Sequence, residues 1–367
     1  MKVCHLTSAH DSDDGRIFRM ECVSIATYDD FDVYLIAPGE SRVEDGVTVI
    51  GIGEKPSSRY KRIFQFTRKL FKEAVKLDAD IYHFHDPELL NIGYKLKKMG
   101  KAVVFDSHEN TYEQIKIKKY IPKFLRNKVA NIYLKKETKI CKYIDAVILP
   151  CLFDGKNPFE NRCKQTVFVN NYPNLREFEN IKQDDIKYDL CHIGTLNYDR
   201  GITFLLKAVK EAKASLLLGG VFETKEYEDE LRQQGLLDNV DYVGYCTKDD
   251  VLKYYSESLI GISSILPVGQ YSAAENLPTK IYEFMAMGKA VIISDLPYSY
   301  EVMKEYEFAL ITDPTNIQQT AEAINQLKDD RELRERLGKN GHRAIQEKMC
   351  WEVEHKKIID LYRRIYK

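Results

Sequence analysis

The segment of this chain with the most chemical potential runs Glu275-Asn276-Leu277-Pro278-Thr279-Lys280-Ile281-Tyr282-Glu283 and continues through Phe284 to Gly288. It reads as a loop, a helix, a glycine stop and then a buried strand that ends before Asp295. Pro278 suits a first helical turn, and Gly288 suits the cap at the other end. The first turn of a helix has amides without intrahelical partners and a partial positive charge, which makes it a seat for an anion. Thr279 adds a hydroxyl there and Lys280 a full charge. Glu283 follows Thr279 by one turn, on the same face and about 6 Å further along. Glu275 stands on the loop side, with Asn276 and Leu277 between it and the helix. A carboxylate, an anion seat and a second carboxylate in that order suit a nucleotide-sugar. Sugar hydroxyls would meet Glu275, the diphosphate the helix start, and the ribose Glu283. On spacing alone, the same residues also fit an ordinary helix whose acids complement its dipole.

The elements that must position this segment follow from hydrophobic patterning. Short β-branched runs at 2–7, 32–37, 81–85, 102–107, 146–150 and 166–169 alternate with amphipathic stretches at 16–28, 58–77, 88–99 and 123–143. The pattern restarts near Tyr188, with strand runs at 188–192, 215–218, 241–243, 260–263, 290–294 and 308–311, and a long helical tract from Asp329. Alternation of this kind implies α/β architecture with parallel sheets covered on both faces. The reading is two doubly wound, Rossmann-like domains, 1–172 and 173–350, with the stretch 170–187 as linker. A helix over 351–367, carrying the one tryptophan, is expected to pack back on the first domain. Ligands of such sheets bind at the carboxyl ends of the strands, so a reaction cleft between the domains is expected. Tyr245, near one such strand end, is a candidate to stack on a nucleobase. His83 and His85 share one strand run; this reading puts them on opposite faces and makes neither a ligand.

Composition narrows the function classes. The 367 residues are 44% apolar and 30% charged, with a net charge of −1, so neither disorder nor a global field for nucleic acid is indicated. The charge is unevenly placed. Residues 1–170 hold 29 Lys and Arg against 23 Asp and Glu, whereas the whole chain holds 55 against 56. The stretch 116–142 has ten basic residues and one acid, interleaved with apolar ones, and a second basic stretch lies at 59–76. Such a pattern suits a solvated helix face, and equally an interfacial helix on anionic lipid. Eight cysteines form no Cys-x-x-Cys pair, which argues against zinc or redox motifs and for a reducing compartment. No apolar run suits a signal peptide or a membrane span. A cytoplasmic location is expected, and the basic stretches suit peripheral attachment to the inner membrane face.

Glu275-x7-Glu283 followed by Phe-Met-Ala-Met-Gly-Lys-Ala-Val-Ile resembles the donor-site signature of the family 4 retaining glycosyltransferases of GT-B fold. Asp189-Leu-Cys-His-Ile-Gly194-Thr195-Leu-Asn-Tyr-Asp-Arg200-Gly201 resembles the strand and loop that open the family's second domain. Asp11-Ser-Asp-Asp-Gly15-Arg16, His85-Asp86-Pro87-Glu88 and Asp106-Ser107-His108-Glu109 resemble its first-domain landmarks. The resemblance implies transfer of a sugar from a nucleoside diphosphate, UDP by default, to a glycan or lipid-linked hydroxyl, without metal or other cofactor. It implies that His108 contacts the donor sugar, that Gly15 and Arg16 line the acceptor side, and that Gly194, Thr195 and Arg200 hold the diphosphate. Glu109 is expected to be solvated or supporting. One departure stands out. Where the family carries two basic residues this chain has Thr195 and Arg200, and Lys280 is expected to supply the missing charge. Asp11-Ser12-Asp13 matches a metal-holding motif of other glycosyltransferases, but here it is read as a helix-capping loop. A nucleotide-sugar 2-epimerase and a non-catalytic partner of the same fold are the alternative readings.

Overall fold

Strands buried on both faces need helices on both sides, and the molecule supplies them. A computed structural model describes residues 1–58, 61–108, 110–118, 121–179, 181 and 185–366. The chain forms two compact units, Met1–Asn171 with Trp351–Lys367, and Tyr172–Cys350.

Unit 1 is built on β1 (Lys2–Leu6), β2 (Asp32–Ala37), β3 (Arg42–Glu44), β4 (Val47–Gly51), β5 (Ile81–Phe84), β6 (Ala102–Asp106), β7 (Ala146–Leu149) and β8 (Thr166–Phe168). Their order is β3-β4-β2-β1-β5-β6-β7-β8, parallel except for the β3–β4 pair. That pair is an unexpected hairpin. Its turn is Asp45-Gly46, both at positive φ (49° and 78°), a dipeptide favoured in two-residue hairpins. The order of connection reverses between β1 and β5, which makes their carboxyl ends the switch point where such sheets bind ligands.

Alternation along these strands sorts two cores. Cys4, Leu6, Tyr82, Phe84, Val103 and Phe105 pack on one face. Val3, Val33, Leu35, Ile81 and Val104 pack on the other, with Trp351, Ile358, Leu361 and Tyr362 of the helix Trp351–Ile365 over them. The Trp351 indole donates to Met20 O (3.1 Å) and Ser24 Oγ (2.7 Å). The amide of Asn170, where the chain leaves the unit, donates to Glu354 Oε2 at 2.7 Å. The first helix is not the regular one expected. Gly15–Cys22 is wound as a π-helix before an α turn at Val23–Ala26; such widening is frequent at functional sites. Its cap is Asp14, whose side chain accepts from the amides of Arg16 and Ile17. The Asp11-Ser12-Asp13 stretch therefore does not cap it; Asp11 pairs with Lys55 and Ser12 with Arg42.

Unit 2 contains β9 (Tyr188–Ile193), β10 (Leu216–Gly219), β11 (Val240–Gly244), β12 (Ser258–Ile262), β13 (Val291–Ser294) and β14 (Ala309–Thr312). The order β11-β10-β9-β12-β13-β14 is parallel throughout, with its switch point between β9 and β12. The late helices are Ile317–Asp329 and Arg331–Glu347, so the helical tract begins twelve residues before Asp329. The helix Thr111–Ile117, capped by the Asn110 side chain, is a second element that patterning missed.

Candidate active site

In unit 2 the switch point gathers cations. β9 ends in His192 and Ile193, and Gly194 follows at φ 152°. A Cβ on Gly194 would stand 3.0 Å from Lys280 Nζ, so the bare backbone lets that ammonium lie against the turn. Lys280 comes from the first turn of the helix Thr279–Ala286, for which Pro278 is the cap residue and Gly288, at φ 68°, follows the end. Its Nζ donates to His192 Nε2 at 3.0 Å. The other ring nitrogen, Nδ1, donates to Ile262 O at 3.1 Å, which leaves Nε2 as the acceptor. Burial, and then the neighbouring guanidinium of Arg200, hold the Lys280 ammonium down to about 7.

Arg200 is fixed from several directions. Its amide donates to Asn197 Oδ1 (2.9 Å), its carbonyl accepts from Ser264 Oγ (3.1 Å), and its guanidinium lies 4.7 Å from the Tyr271 ring centroid. Gly201 next to it is tightly constrained, because at φ 71° a Cβ there would meet Ser264 O at 1.9 Å. Glu283 lies one turn into the helix, where Tyr255 donates to its Oε2 at 3.1 Å and burial raises its carboxyl.

The remaining residues of this segment divide. Tyr282 donates to Asn276 Oδ1 (2.6 Å) and accepts from the Leu277 amide (3.1 Å). The side chain of Leu277 is in the core. These two residues therefore shape the loop. Glu275 is half-buried in that loop, while Thr279 and Thr195 are exposed. Tyr245 is 78% exposed just past β11. Lys289, in the same motif, is structural, donating to the carbonyls of Ser256 and Ser258.

In unit 1 the other switch point holds a buried chain of imidazoles that patterning missed. His5 and His83 are register partners on β1 and β5. His85 lies two positions beyond His83, and residues two apart share a face of a strand, so the opposite-face expectation was an error. His83 Nδ1 meets Tyr362 Oη at 2.6 Å, and Tyr362 Oη meets His5 Nε2 at 3.1 Å. His5 Nδ1 meets His85 Nε2 at 3.0 Å, and His85 Nδ1 meets His108 Nε2 at 3.1 Å. Burial keeps all four rings neutral: His83 is held down to about 3, His108 to about 4, and His5 and His85 well below the usual range. Each of these contacts takes one proton and each neutral ring offers one. The tautomers of the four rings and the direction of the Tyr362 hydroxyl are consequently set together.

Arg16 is largely buried beside these rings, paired with two acids. Its Nε donates to Glu21 Oε1 (2.9 Å) and its Nη2 to Asp106 Oδ2 (3.0 Å). Burial and Asp106 push the Glu21 carboxyl up, whereas Arg16 brings Asp106 below the usual range against its own burial. Gly15 has open space where a Cβ would stand. His5, Glu21, His83 and His85 have ligand-type atoms within 4.8 Å of one another; a metal there would have to displace the imidazole contacts just described. Tyr362→Phe keeps the ring packing but leaves His5 Nε2 and His83 Nδ1 without a partner. Urea denaturation should show it less stable by about 1–3 kcal/mol. Glu109, Arg59 and Lys119 lie outside the described residues.

Comparison with known sequences gives the family. The model for Glycosyltransferase Family 4 matches residues 27–155, and that for Glycosyl transferases group 1 matches residues 173–344. The chain is a family 4 glycosyltransferase. An uncharacterized glycosyltransferase of Methanocaldococcus jannaschii is 25% identical over 288 residues, 77% of this transferase and 68% of the relative. Spore coat protein SA of Bacillus subtilis is 29% identical over 145 residues, 39% and 37% of the two chains. Among solved structures, the sucrose-phosphate synthase of Thermosynechococcus elongatus aligns at TM-score 0.75 and 18% identity, over 100% of this chain and 99% of that one. Anabaena HepE, solved with UDP and glucose, aligns at TM-score 0.72 and 14% identity, over 99% and 100%. These likenesses show the GT-B fold of the transferase.

Proposed function

We propose that this transferase moves a sugar from a nucleoside diphosphate, UDP favoured, to a hydroxyl of a glycan or lipid-linked acceptor with retention of anomeric configuration, in the assembly of surface polysaccharide or glycan. The observation that carries the reading is Lys280, from the first turn of a helix, held on His192 against the Gly194 turn, with Arg200 anchored by Asn197 and Ser264 at the same β9/β12 switch point. Two like charges held together cost free energy that a diphosphate returns. Glu283, one turn inside, is the ribose contact. Solved structures of the same fold that hold UDP and glucose, or UDP-2-fluoro glucose, support the choice of nucleotide.

The bond between the anomeric carbon and the β-phosphate oxygen breaks through an oxocarbenium-like state, and a bond to the acceptor oxygen forms. Arg200, Lys280 and the helix amides stabilise the charge that grows on the leaving diphosphate. In this reading they take the place of a divalent ion, so the reaction needs no metal. The acceptor proton leaves with the diphosphate on the same face. Glu275, and His108 as the resemblance implies, orient the sugar.

The test is a transfer assay in EDTA after a screen of UDP, GDP and ADP for thermal stabilisation, since binding to the native state raises Tm. Glu275→Gln should lower kcat about 100-fold while leaving UDP affinity within about twofold. No stabilisation by any nucleotide would refute the reading. An epimerised donor formed without acceptor would identify a 2-epimerase instead.

The basic stretch supports a peripheral contact with anionic membrane. On the helix Lys123–Cys141, Phe124 is 84% exposed and Ile132 60%, among lysines. No helix among the described residues is long and apolar enough to cross a membrane. Vesicles with 30% phosphatidylserine should co-sediment the protein about tenfold better than neutral ones; equal sedimentation would refute the contact.

A further inference from the structure

Glu21, near the end of the π-helix Gly15–Cys22, carries a buried oxygen with nothing to bond to. Its Oε1 accepts from Arg16, but Oε2 has no hydrogen-bond partner among the described residues. That oxygen faces three imidazoles: His5 Nδ1 stands at 3.7 Å, His83 Nδ1 at 3.9 Å and His85 Nε2 at 3.9 Å. All three lie beyond hydrogen-bond distance. Ionised, the oxygen lacks a donor; protonated, it lacks an acceptor. A buried polar atom left in that state is costly, and it marks the place of a water or an ion.

The spacing suits a metal ion. Zinc lies about 2.0–2.2 Å from imidazole nitrogen and carboxylate oxygen, which puts tetrahedral neighbours about 3.3–3.6 Å apart. His5 Nδ1 is 3.0 Å from His85 Nε2, and Glu21 Oε2 is 3.7 and 3.9 Å from the two, so small side-chain adjustments bring all three into range. The protons allow it as well. Of the four contacts in the imidazole chain, an ion here displaces one, that between His5 Nδ1 and His85 Nε2. Each ring keeps its single proton. His5 carries it on Nε2 and donates to Tyr362 Oη, and His85 carries it on Nδ1 and donates to His108 Nε2. Tyr362 then donates to His83 Nδ1, which takes His83 out of the ligand set. Outer hydrogen bonds of this kind orient ligating imidazoles, and the Arg16 contact on Oε1 does the same for the carboxylate. The neighbouring group His85, Asp106 and His108 is less suited. Its near oxygen, Asp106 Oδ2, 3.8 Å from His85 Nδ1, already accepts from Arg16.

We propose that His5 Nδ1, His85 Nε2 and Glu21 Oε2 bind a divalent first-row transition ion, zinc by default, with a water completing its shell. Two imidazoles and a carboxylate suit such an ion, whereas magnesium and calcium take oxygen ligands. The ion ties β1, the residue that follows β5 and the helix Gly15–Cys22 together at the switch point of unit 1. Its three ligands are buried, so its part is structural. It is separate from the chemistry proposed for unit 2, where Arg200 and Lys280 meet the diphosphate.

The test strips the full chain by dialysis against dipicolinate and titrates it with Zn2+ and Mg2+ by calorimetry. One Zn2+ per chain should bind and raise Tm, and Mg2+ should not. X-ray absorption at the zinc edge should show two imidazoles, oxygen neighbours at about 2.0–2.2 Å and no sulfur, which separates this site from capture by the eight cysteines. Glu21→Gln keeps the size and the Arg16 contact, and should weaken Zn2+ binding by at least about 100-fold. Tyr362→Phe spares the ligands but removes the bond to His5 Nε2, and should cost about 10- to 100-fold. The fluorescence of Trp351, the one tryptophan, bonded to Met20 O in the same helix, reports whether unit 1 of each variant is folded. No Zn2+ uptake by the wild type, sulfur bound to its zinc, or wild-type zinc affinity in a folded Glu21→Gln would each overturn the proposal. Should Glu21→Gln lose the Trp351 signal, the wild-type absorption spectrum decides: two imidazoles support the site, and fewer overturn it.

Discussion

Arg200→Ala should lower kcat/KM for sugar transfer by about 100- to 1000-fold, the loss found when one preorganised charge-stabilising donor is removed from an active site. The surroundings make this a clean test. The Arg200 backbone is held by Asn197 and Ser264 independently of the guanidinium, so the loop survives truncation and the missing charge dominates. Arg200→Lys keeps the charge but loses the planar fork that matches a diphosphate and stacks on Tyr271. It should recover about tenfold, and its melting temperature should match wild type. A variant within threefold of wild type in steady-state kinetics would remove Arg200 from the reaction.

Lys280→Met should weaken UDP binding by about 10- to 100-fold and flatten its pH dependence. The sign follows from the free protein. Burial and Arg200 hold the Lys280 ammonium down to about 7, and only the protonated form attracts a diphosphate. Above pH 7 the lysine must therefore gain a proton to bind. Affinity should fall as pH rises, by up to about tenfold per unit, until the pH reaches the higher value that the bound lysine takes. Below pH 6 the curve should be level. Calorimetry between pH 6 and 9 on both proteins measures this, and an identical slope in Lys280→Met would assign the titration to another group.

The strand framework was legible because parallel strands buried on both faces are written in consecutive apolar residues, as in Ala146–Leu149 and Val291–Ser294. The β3–β4 hairpin was missed although Asp45-Gly46 is a hairpin dipeptide, because the charged strand residues Arg42 and Glu44 obscured the alternation. The donor segment could be read because its residues lie within nine positions of one another. What escaped depends on distant pairings. His5, His85, His108 and Tyr362 come from strands and a helix up to 357 positions apart, and no local period announces them. His192 was missed because it reads as one more residue of a buried strand, yet its free Nε2 anchors Lys280. Arg16 could be noticed from its loop position, but its pairing with Glu21 and Asp106, the latter 90 positions away, could not.

The path of the chain through unit 1 also bears on how the protein is made. Residues 1–171 cover one sheet face only in part, through Ile17, Phe18, Cys22 and Ile25, until Trp351, Ile358 and Tyr362 arrive to close it. During synthesis unit 2 emerges whole, whereas unit 1 waits with an apolar surface, and with His5 Nε2 and His83 Nδ1 lacking Tyr362, for a helix made nearly two hundred residues later. Unit 2 is thus the part able to fold first on the ribosome, and a chain cut before Trp351 is a natural target for chaperones and proteases.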